Sequence, residues 1–261
     1  MTASERNGEA RTKIAIRDVS FDYVDRKTTF AALNHISLDI RDGEFLCILG
    51  SSGCGKSTLL SLLSGLNRAT SGEILLDGKT VRGPGPDRAV VFQQYSLFPW
   101  QTVRKNVLFA MKKSRRFGKE EMERRADLFL EKTGMRDAQG KYPYQLSGGM
   151  RQRTAIARAL ASGAEVLLLD EPFGALDPAI RSDLQKLLRG RWKEERKTVI
   201  FVTHDLDEAL AMGTRIVFMR NGCIEREMDI PERISECCAG SLGYPDYREL
   251  RASLEEWFHA S

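Results

Sequence analysis

The sequence lacks the features that place a chain in a membrane or in an oxidising compartment. No apolar stretch approaches the ~20 residues that a membrane-spanning helix needs, and the polar opening residues MTASERNGEART lack the apolar core of a signal peptide. The five cysteines form no C-x-x-C pair, which excludes the common zinc and redox patterns. These absences predict a soluble, cytoplasmic protein with free thiols.

The sequence also lacks a large excess of positive or of negative charge. The 40 Lys and Arg residues against 36 Asp and Glu leave a net charge of +4, which is too little for a dedicated nucleic-acid binder. With 42% hydrophobic and 29% charged residues, the composition also excludes a largely disordered, collagen-like or coiled-coil chain. A chain of 261 residues is long enough for one large domain with a substantial core.

Apolar runs and turn signals predict an α/β fold. Alternating apolar residues near the N-terminus, with the hairpin signal Asp77-Gly78, indicate an antiparallel β layer, and Asn221-Gly222 is a second hairpin signal. Between about residues 96 and 161 the pattern is helical only, which predicts a helical sub-domain inserted into the core. Unbroken apolar runs are typical of parallel strands that are buried on both faces. Such runs lie at residues 45–49, 90–92, 166–169, 199–202 and 216–219.

A glycine-rich segment between a predicted strand and a predicted helix fits the pattern G-x-x-x-x-G-K-[ST]. Its backbone N–H groups and the start of the helix would face phosphate oxygens. Lys56 would neutralise β- and γ-phosphate charge, and the Ser57 hydroxyl would ligate Mg²⁺. The predicted phosphate-binding residues are Gly50, Ser51, Ser52, Gly53, Cys54, Gly55, Lys56, Ser57 and Thr58.

Two acidic residues, Asp170 and Glu171, end one of the predicted buried strands. Like charges at a strand end repel each other unless a cation or a proton intervenes, and a nucleotide-bound Mg²⁺ would supply that cation. We expect Asp170 to hold the metal and Glu171 to act as the general base on an attacking water.

A second candidate anion site is the segment Leu146-Ser147-Gly148-Gly149-Met150, which directly precedes a helical stretch. The first loop already supplies a complete phosphate cradle. A second one makes sense if it closes over a nucleotide that is bound to another subunit.

These three motifs, in the chain order phosphate loop, Leu-Ser-Gly-Gly segment and acidic pair, strongly resemble those of the ATP-binding cassette family, the ATPase subunits of ABC transporters. The segment from Leu146 to Met150 is similar to the family's signature motif, with Met150 where glutamine is more usual. The resemblance covers nearly all of residues 14–235. It implies a P-loop NTPase core with an N-terminal antiparallel β layer and an inserted helical sub-domain, with ATP and Mg²⁺ as cofactors.

The resemblance also implies roles for single residues. Tyr23 matches the aromatic that stacks on adenine, although a tyrosine at a sheet edge would explain it too. Gln93 matches the glutamine that reaches Mg²⁺ and the attacking water, and His204 matches the histidine that contacts the γ-phosphate, although a lone histidine is more often structural. Asp177 matches the loop that crosses between two cassettes, where the partner's nucleotide would also meet Ser147, Gly148 and Gly149. The predicted catalytic residues are Glu171, His204 and Gln93, and the predicted metal ligands are Ser57, Gln93 and Asp170.

Weaker tags narrow the resemblance to the nitrate/sulfonate/taurine importer ATPases: residues 83–88, 97–103 and 171–177. This implies a head-to-tail dimer at the cytoplasmic face of the membrane, which powers uptake of a small anionic or sulfur- or nitrogen-containing solute. A separate permease would dock through its coupling helices and receive the solute from a binding protein. Two alternatives stay open, an exporter's ATPase subunit and a soluble cassette ATPase acting on nucleic acid. The latter usually carries two cassettes or a long coiled coil, neither of which the sequence shows.

The predicted organisation is a flexible N-terminus at residues 1–13, a cassette domain at residues 14–236 and a short C-terminal extension at residues 237–261. The permease would dock in a cleft around Gln93 and the segment Leu97-Phe98-Pro99-Trp100, where Phe98 and Trp100 are either exposed docking residues or core aromatics. Basic residues concentrate between residues 104 and 125, which indicates either a solvated helix face or contact with anionic lipid or permease loops.

Overall fold

A computed structural model of the chain describes residues 11–25, 28–231 and 245–259. Residues 1–10 of the predicted flexible N-terminus and residues 232–244, with Cys237 and Cys238, lie outside these ranges, whereas Thr12 and Lys13 of that predicted terminus belong to the first strand. The strands of the described residues are Thr12–Asp25 (β1), Thr28–Arg41 (β2), Phe45–Leu49 (β3), Ser71–Leu76 (β4), Lys79–Thr80 (β5), Arg88–Val91 (β6), Val166–Asp170 (β7), Thr198–Thr203 (β8), Arg215–Arg220 (β9) and Cys223–Asp229 (β10). The α-helices are Lys56–Ser64 (α1), Val103–Ser114 (α2), Lys119–Lys132 (α3), Gly148–Ala161 (α4), Pro178–Glu195 (α5), Leu206–Met212 (α6) and Pro245–His259 (α7).

The strands form two sheets, as the sequence predicts. An antiparallel sheet has the order β2-β1-β4-β5, and a six-stranded sheet has the order β10-β9-β3-β8-β7-β6. In the second sheet all neighbours are parallel except β10, which turns back on β9 through the hairpin at Asn221-Gly222. Asp77-Gly78 likewise joins β4 to β5, with Leu76 opposite Lys79. Both predicted hairpins are therefore confirmed.

The parallel sheet is buried on both faces, which explains its unbroken apolar strands. Successive side chains of β3 alternate between the two faces. Leu46 and Ile48 face a core that contains α1 and the antiparallel sheet. Phe45, Cys47 and Leu49 face a second core, to which α2 through α7 contribute. Helix α1, and hence the glycine-rich loop before it, is held between the two sheets.

Between β6 and β7 the described chain is helical, which confirms the inserted helical sub-domain. Arg104 of α2 binds Glu123 and Asp127 of α3, and the hydrogen bond to Asp127 is the main cause that raises the pKa of this guanidinium. Arg116 binds Glu165, which directly precedes β7. Arg125 donates to the carbonyl of Ala161 at 3.1 Å. These arginines of the basic cluster hold the insert together and tie it to the core.

The C-terminal helix α7 is an integral part of the core. Leu254 and Trp257 are buried, and the rings of Trp257 and Phe258 lie 5.9 and 5.0 Å from that of Phe218 in β9. The Tyr247 hydroxyl donates to Asp207 in the first turn of α6 at 2.6 Å. The described part of the predicted extension therefore packs against the element that follows His204. No helix of the described ranges is long and apolar enough to cross a membrane.

We expect Trp257→Ala to lower the free energy of unfolding by about 3–5 kcal/mol, because it removes a buried indole and leaves a cavity. Urea denaturation followed by circular dichroism measures this loss. Glu256→Ala, at an exposed position of the same helix, is the matched control and should change stability by less than about 0.5 kcal/mol. Equal stability of the two variants would contradict the packing of α7.

Candidate nucleotide site

The predicted catalytic and phosphate-binding residues gather at one edge of the parallel sheet. The glycine-rich loop follows β3, Gln93 follows β6, Asp170 ends β7 with Glu171 directly after it, and His204 follows β8. These strands are neighbours in the order β3-β8-β7-β6, so their carboxyl ends meet at the same edge. This edge is where open α/β sheets bind their ligands.

The glycine-rich loop needs its glycines for steric reasons. Gly55 has a φ of +105°, and a Cβ at this position would lie 2.6 Å from the carbonyl oxygen of Ala32. Lys56 begins α1 and is buried, and its ammonium donates to the carbonyls of Gly50 and Ser51 at 2.8 Å each. The loop therefore wraps around a cationic group at a helix N-terminus, an arrangement that suits phosphate.

The Ser57 hydroxyl and the Asp170 carboxylate lie together beside this loop. The hydroxyl donates to the Asp170 carboxylate at 3.1 Å. Burial raises the pKa of Asp170, the Ser57 hydrogen bond opposes that rise, and the adjacent Glu171 charge adds to it. A buried carboxylate next to a hydroxyl fits Mg²⁺, a hard cation with oxygen ligands that would relieve the repulsion. Ser57 and Asp170 are therefore the residues that could hold the metal.

Glu171 lies at the centre of the predicted catalytic set. One of its carboxylate oxygens accepts a hydrogen bond from the Gln93 amide at 3.3 Å, and the other lies 3.0 Å from Nδ1 of His204. The structure therefore brings all three predicted catalytic side chains together. Its φ of +45° places Glu171 in the left-handed region, which is strained for a residue other than glycine and is often found at active sites.

The predicted metal ligand Gln93 differs from Ser57 and Asp170. Its amide nitrogen donates to Glu171, so the Gln93 side chain lies against the predicted base. The position of its side chain is compatible with orienting a water against Glu171. The structure shows no hydrogen bond between Gln93 and Ser57 or Asp170 among the described residues.

Tyr23 lies beside the start of α1. Its hydroxyl is 3.2 Å from the Thr58 hydroxyl, and the residue is 47% exposed. The ring is therefore accessible next to the phosphate loop, where a purine could stack on it.

The signature segment is a separate surface. The Ser147 hydroxyl caps α4 by accepting from the Met150 N–H at 3.3 Å, and a Cβ on Gly149 would lie 3.2 Å from the Ala175 carbonyl. Asp177 in turn caps α5 by accepting from the Ile180 N–H at 3.0 Å. Over residues 11–25, 28–231 and 245–259, no hydrogen bond joins either segment to the phosphate loop. These predicted nucleotide contacts are not part of the site formed by β3, β6, β7 and β8.

Sequence reasoning missed one residue that contacts the loop after Gln93. Arg158, in the last turns of α4, donates to the carbonyls of Tyr95 and Ser96 at 3.3 and 2.7 Å. The available signal was an arginine within the apolar sequence Ala-Ile-Ala-Arg-Ala-Leu.

A cavity of about 410 Å³ lies next to this loop, with Phe98, Phe109 and Arg158 in its wall. Phe98 is half-buried, with its ring 4.5 Å from that of Phe109 and 5.6 Å from that of Trp100. Of the two alternatives for these aromatics, Trp100 fits the exposed one, since it is 71% exposed. Phe98 lies between the two, because it packs against α2 and is only half-buried.

Comparisons with known proteins agree with these motifs. The family model described as ABC transporter matches residues 33–174. The nitrate import ATP-binding protein NrtD of Synechococcus elongatus is 51% identical over 88% of this chain and 85% of its own length. The bicarbonate transport ATP-binding protein CmpD of Synechocystis is 45% identical over 85% and 79%, respectively. The solved dimer of the ATP-binding cassette MJ0796, in a post-hydrolysis state bound to ADP and Pi, superposes with a TM-score of 0.78 at 34% identity, covering 84% of this chain and 99% of that one.

Both the fold and the sequence thus correspond to those of P-loop ATPase cassettes over most of the chain. The protein is a member of the ABC transporter family, as one of its ATP-binding subunits.

Proposed function

We propose that two copies of this subunit hydrolyse ATP at sites shared between them and thereby power solute import through a separate membrane permease. The observation that carries the proposal is the group formed by Glu171, Gln93 and His204 beside the glycine-rich loop. The site combines a carboxylate base with a phosphate-binding loop, and attack of water on a γ-phosphate requires both.

In this mechanism the chain mainly positions groups and stabilises charge. The loop N–H groups and Lys56 bind the phosphates, and Ser57 with Asp170 would hold Mg²⁺. The metal would neutralise charge that develops on the phosphate oxygens. Glu171 takes a proton from the water that Gln93 orients, and His204 donates a hydrogen bond toward the γ-phosphate. The Glu171–His204 contact of 3.0 Å fixes the orientation of both side chains.

The signature segment supports a site built across two subunits. The N-terminus of α4, which favours anions, carries Ser147, Gly148 and Gly149. Among the described residues, no hydrogen bond joins these three to the phosphate loop of the same chain. In a head-to-tail dimer this N-terminus would close over the partner's nucleotide, and Asp177 would lie at the crossing between subunits. The dimeric state of the superposable cassette is in keeping with this arrangement.

The permease would dock at the cavity beside the loop that follows Gln93. Phe98 and Phe109 offer an apolar wall, and the exposed Trp100 ring lies 5.6 Å from that of Phe98. A cytoplasmic helix of the permease could bury these rings, which would hold the cassette at the cytoplasmic face of the membrane as a peripheral subunit. The docked helix would lie beside the loop that begins a few residues after Gln93, so its movement would displace Gln93.

The names of two relatives suggest the class of solute. One is a nitrate importer subunit and the other belongs to a bicarbonate transporter, and both solutes are small oxoanions. We propose a small anionic or sulfur- or nitrogen-containing solute, of the nitrate, sulfonate or taurine type, as the solute of the transporter that contains this chain. No feature of the described residues favours an exporter or a nucleic-acid-associated ATPase.

Uptake in cells tests the import function. We expect cells in which the gene encodes Glu171→Gln to lose ATP-dependent uptake of one labelled solute among nitrate, bicarbonate and taurine. A strain with the exposed-site variant Glu73→Gln should take up the same solute at the wild-type rate. Unchanged uptake of all three solutes, together with a loss of efflux of any of them, would contradict import.

A further inference from the structure

The loop that follows Gln93 has a strained backbone. Tyr95 and Ser96 are consecutive residues with φ values of +61° and +45°, in the left-handed region that residues with a Cβ seldom occupy. Such a conformation persists only where surrounding contacts hold it in place. We therefore expect side chains of neighbouring elements to hydrogen-bond this loop and fix its backbone.

Arg158 is the side chain that holds the strained residues. Its two terminal nitrogens donate to the carbonyls of Ser96 at 2.7 Å and Tyr95 at 3.3 Å. Burial lowers the pKa of the Arg158 guanidinium to about 10. In the described part of the chain no acidic side chain lies within 4.0 Å of it, so the described polar contacts of this guanidinium are with the loop carbonyls.

Contacts from α2 and from the N-terminus of α4 also hold this loop. Asn106 of α2 is fully buried and accepts from the Phe98 N–H at 2.8 Å, which fixes the segment beyond Ser96. At the N-terminus of α4, a Cβ on Gly148 would lie 3.2 Å from the Tyr95 hydroxyl. The Tyr95 side chain thus lies beside the signature residues, while the Tyr95 carbonyl is held by Arg158. Gln93 precedes this fixed segment and donates to Glu171.

Arg158 also contributes to the wall of the cavity that Phe98 and Phe109 line. Arg158 therefore links the signature helix, to which it belongs, with the loop after Gln93 and with the cavity. A displacement of α4 or of a molecule in the cavity would move the carbonyls of Tyr95 and Ser96 with it.

We propose that Arg158 is a positioning residue, which holds the Gln93 amide against Glu171 and transmits movement of α4 and of the cavity occupant to Gln93. Its action on ATP hydrolysis rests on the proposed function of Glu171. The described hydrogen bonds of Arg158 are to loop carbonyls, so it acts through the loop backbone.

The chain offers a matched control in the same helix. Arg153 donates to the carbonyls of Thr133 and Gly134 at 3.2 and 3.0 Å, and this contact lies within the helical insert. Arg153→Gln therefore removes an arginine-to-carbonyl contact of the same kind, away from Gln93. Comparing it with Arg158→Gln separates positioning of the site from general stability of α4.

The test is steady-state ATP hydrolysis by the purified full-length variants. We expect Arg158→Gln to lower kcat by roughly 10- to 100-fold while KM for Mg-ATP stays within about twofold, because a displaced water-orienting group slows the reaction without weakening phosphate binding. Arg153→Gln should keep the wild-type kcat even if its melting temperature falls equally. A wild-type kcat for Arg158→Gln, or an equal loss of kcat in Arg153→Gln, would overturn the proposal.

Arg158→Lys decides the question if Arg158→Gln fails to fold. Lysine keeps the charge but lacks the planar fork that reaches two carbonyls at once. We expect a reduced kcat at an unchanged KM, whereas a wild-type kcat would overturn the proposal. Failure of the proposed function is distinguishable, because the wild-type protein itself would then release no phosphate from Mg-ATP.

Discussion

Glu171→Gln will abolish ATP turnover and leave nucleotide binding intact. The amide keeps the shape of the side chain, but it cannot take a proton from water, and loss of a general base typically costs ~10²–10⁴-fold in rate. Lys56, Ser57 and Asp170, which would contact the phosphates and the metal, are unchanged. Release of phosphate from Mg-ATP by the purified variant measures the effect directly.

Binding and assembly provide the second readout for this variant. Mg-ATP should raise the melting temperature of Glu171→Gln at least as much as that of the wild type, since ligand binding stabilises the folded state. The unhydrolysed nucleotide should hold two subunits together, so that a dimer accumulates on size-exclusion chromatography. Glu73→Gln, which changes an exposed carboxylate of β4, should behave as wild type in both assays. Undiminished turnover by Glu171→Gln would remove Glu171 from the catalytic role.

Mixing two inactive variants should restore ATPase activity. Lys56→Ala loses the buried ammonium inside the phosphate loop, so its stabilisation by Mg-ATP should fall. Ser147→Arg places a bulky cation at the N-terminus of α4 and blocks approach of the partner's nucleotide, while its own phosphate loop stays intact. Each variant alone should therefore be close to inactive, for a different reason.

The head-to-tail dimer determines what the mixture does. A mixed dimer has one site with an intact loop and an intact signature, and a second site with both lesions. We expect the mixture to regain a measurable part of the wild-type rate of phosphate release, provided one working site suffices. Ser147→Ala is the control for the lost helix cap, which by itself costs about 1 kcal/mol of stability. Full activity of Ser147→Arg alone, linear with concentration down to dilute monomer, would mean that each chain hydrolyses ATP by itself.

Local sequence patterns were sufficient for much of the fold. The pairs Asp77-Gly78 and Asn221-Gly222 predict hairpins because their residues tolerate positive φ, and both hairpins form. The apolar run of β3 predicts a strand buried on both faces, because each face of the sheet meets its own core. The packing of helix α7 could not be predicted from local sequence, because its contacts are with Phe218 and Asp207, which are distant in sequence.

The amino-acid sequence was enough to identify the phosphate loop, the acidic pair and the signature, because each consists of neighbouring residues whose spacing is dictated by a backbone turn or a strand end. The meeting of the catalytic side chains is a property of the sheet. Gln93, Glu171 and His204 each follow a different strand, and only the order β8-β7-β6 brings their side chains into hydrogen-bond distance. The partial burial of Phe98 and the contact of Arg158 with the Gln93 loop likewise depend on how α2 and α4 pack, since local sequence does not encode which distant surface will cover a side chain.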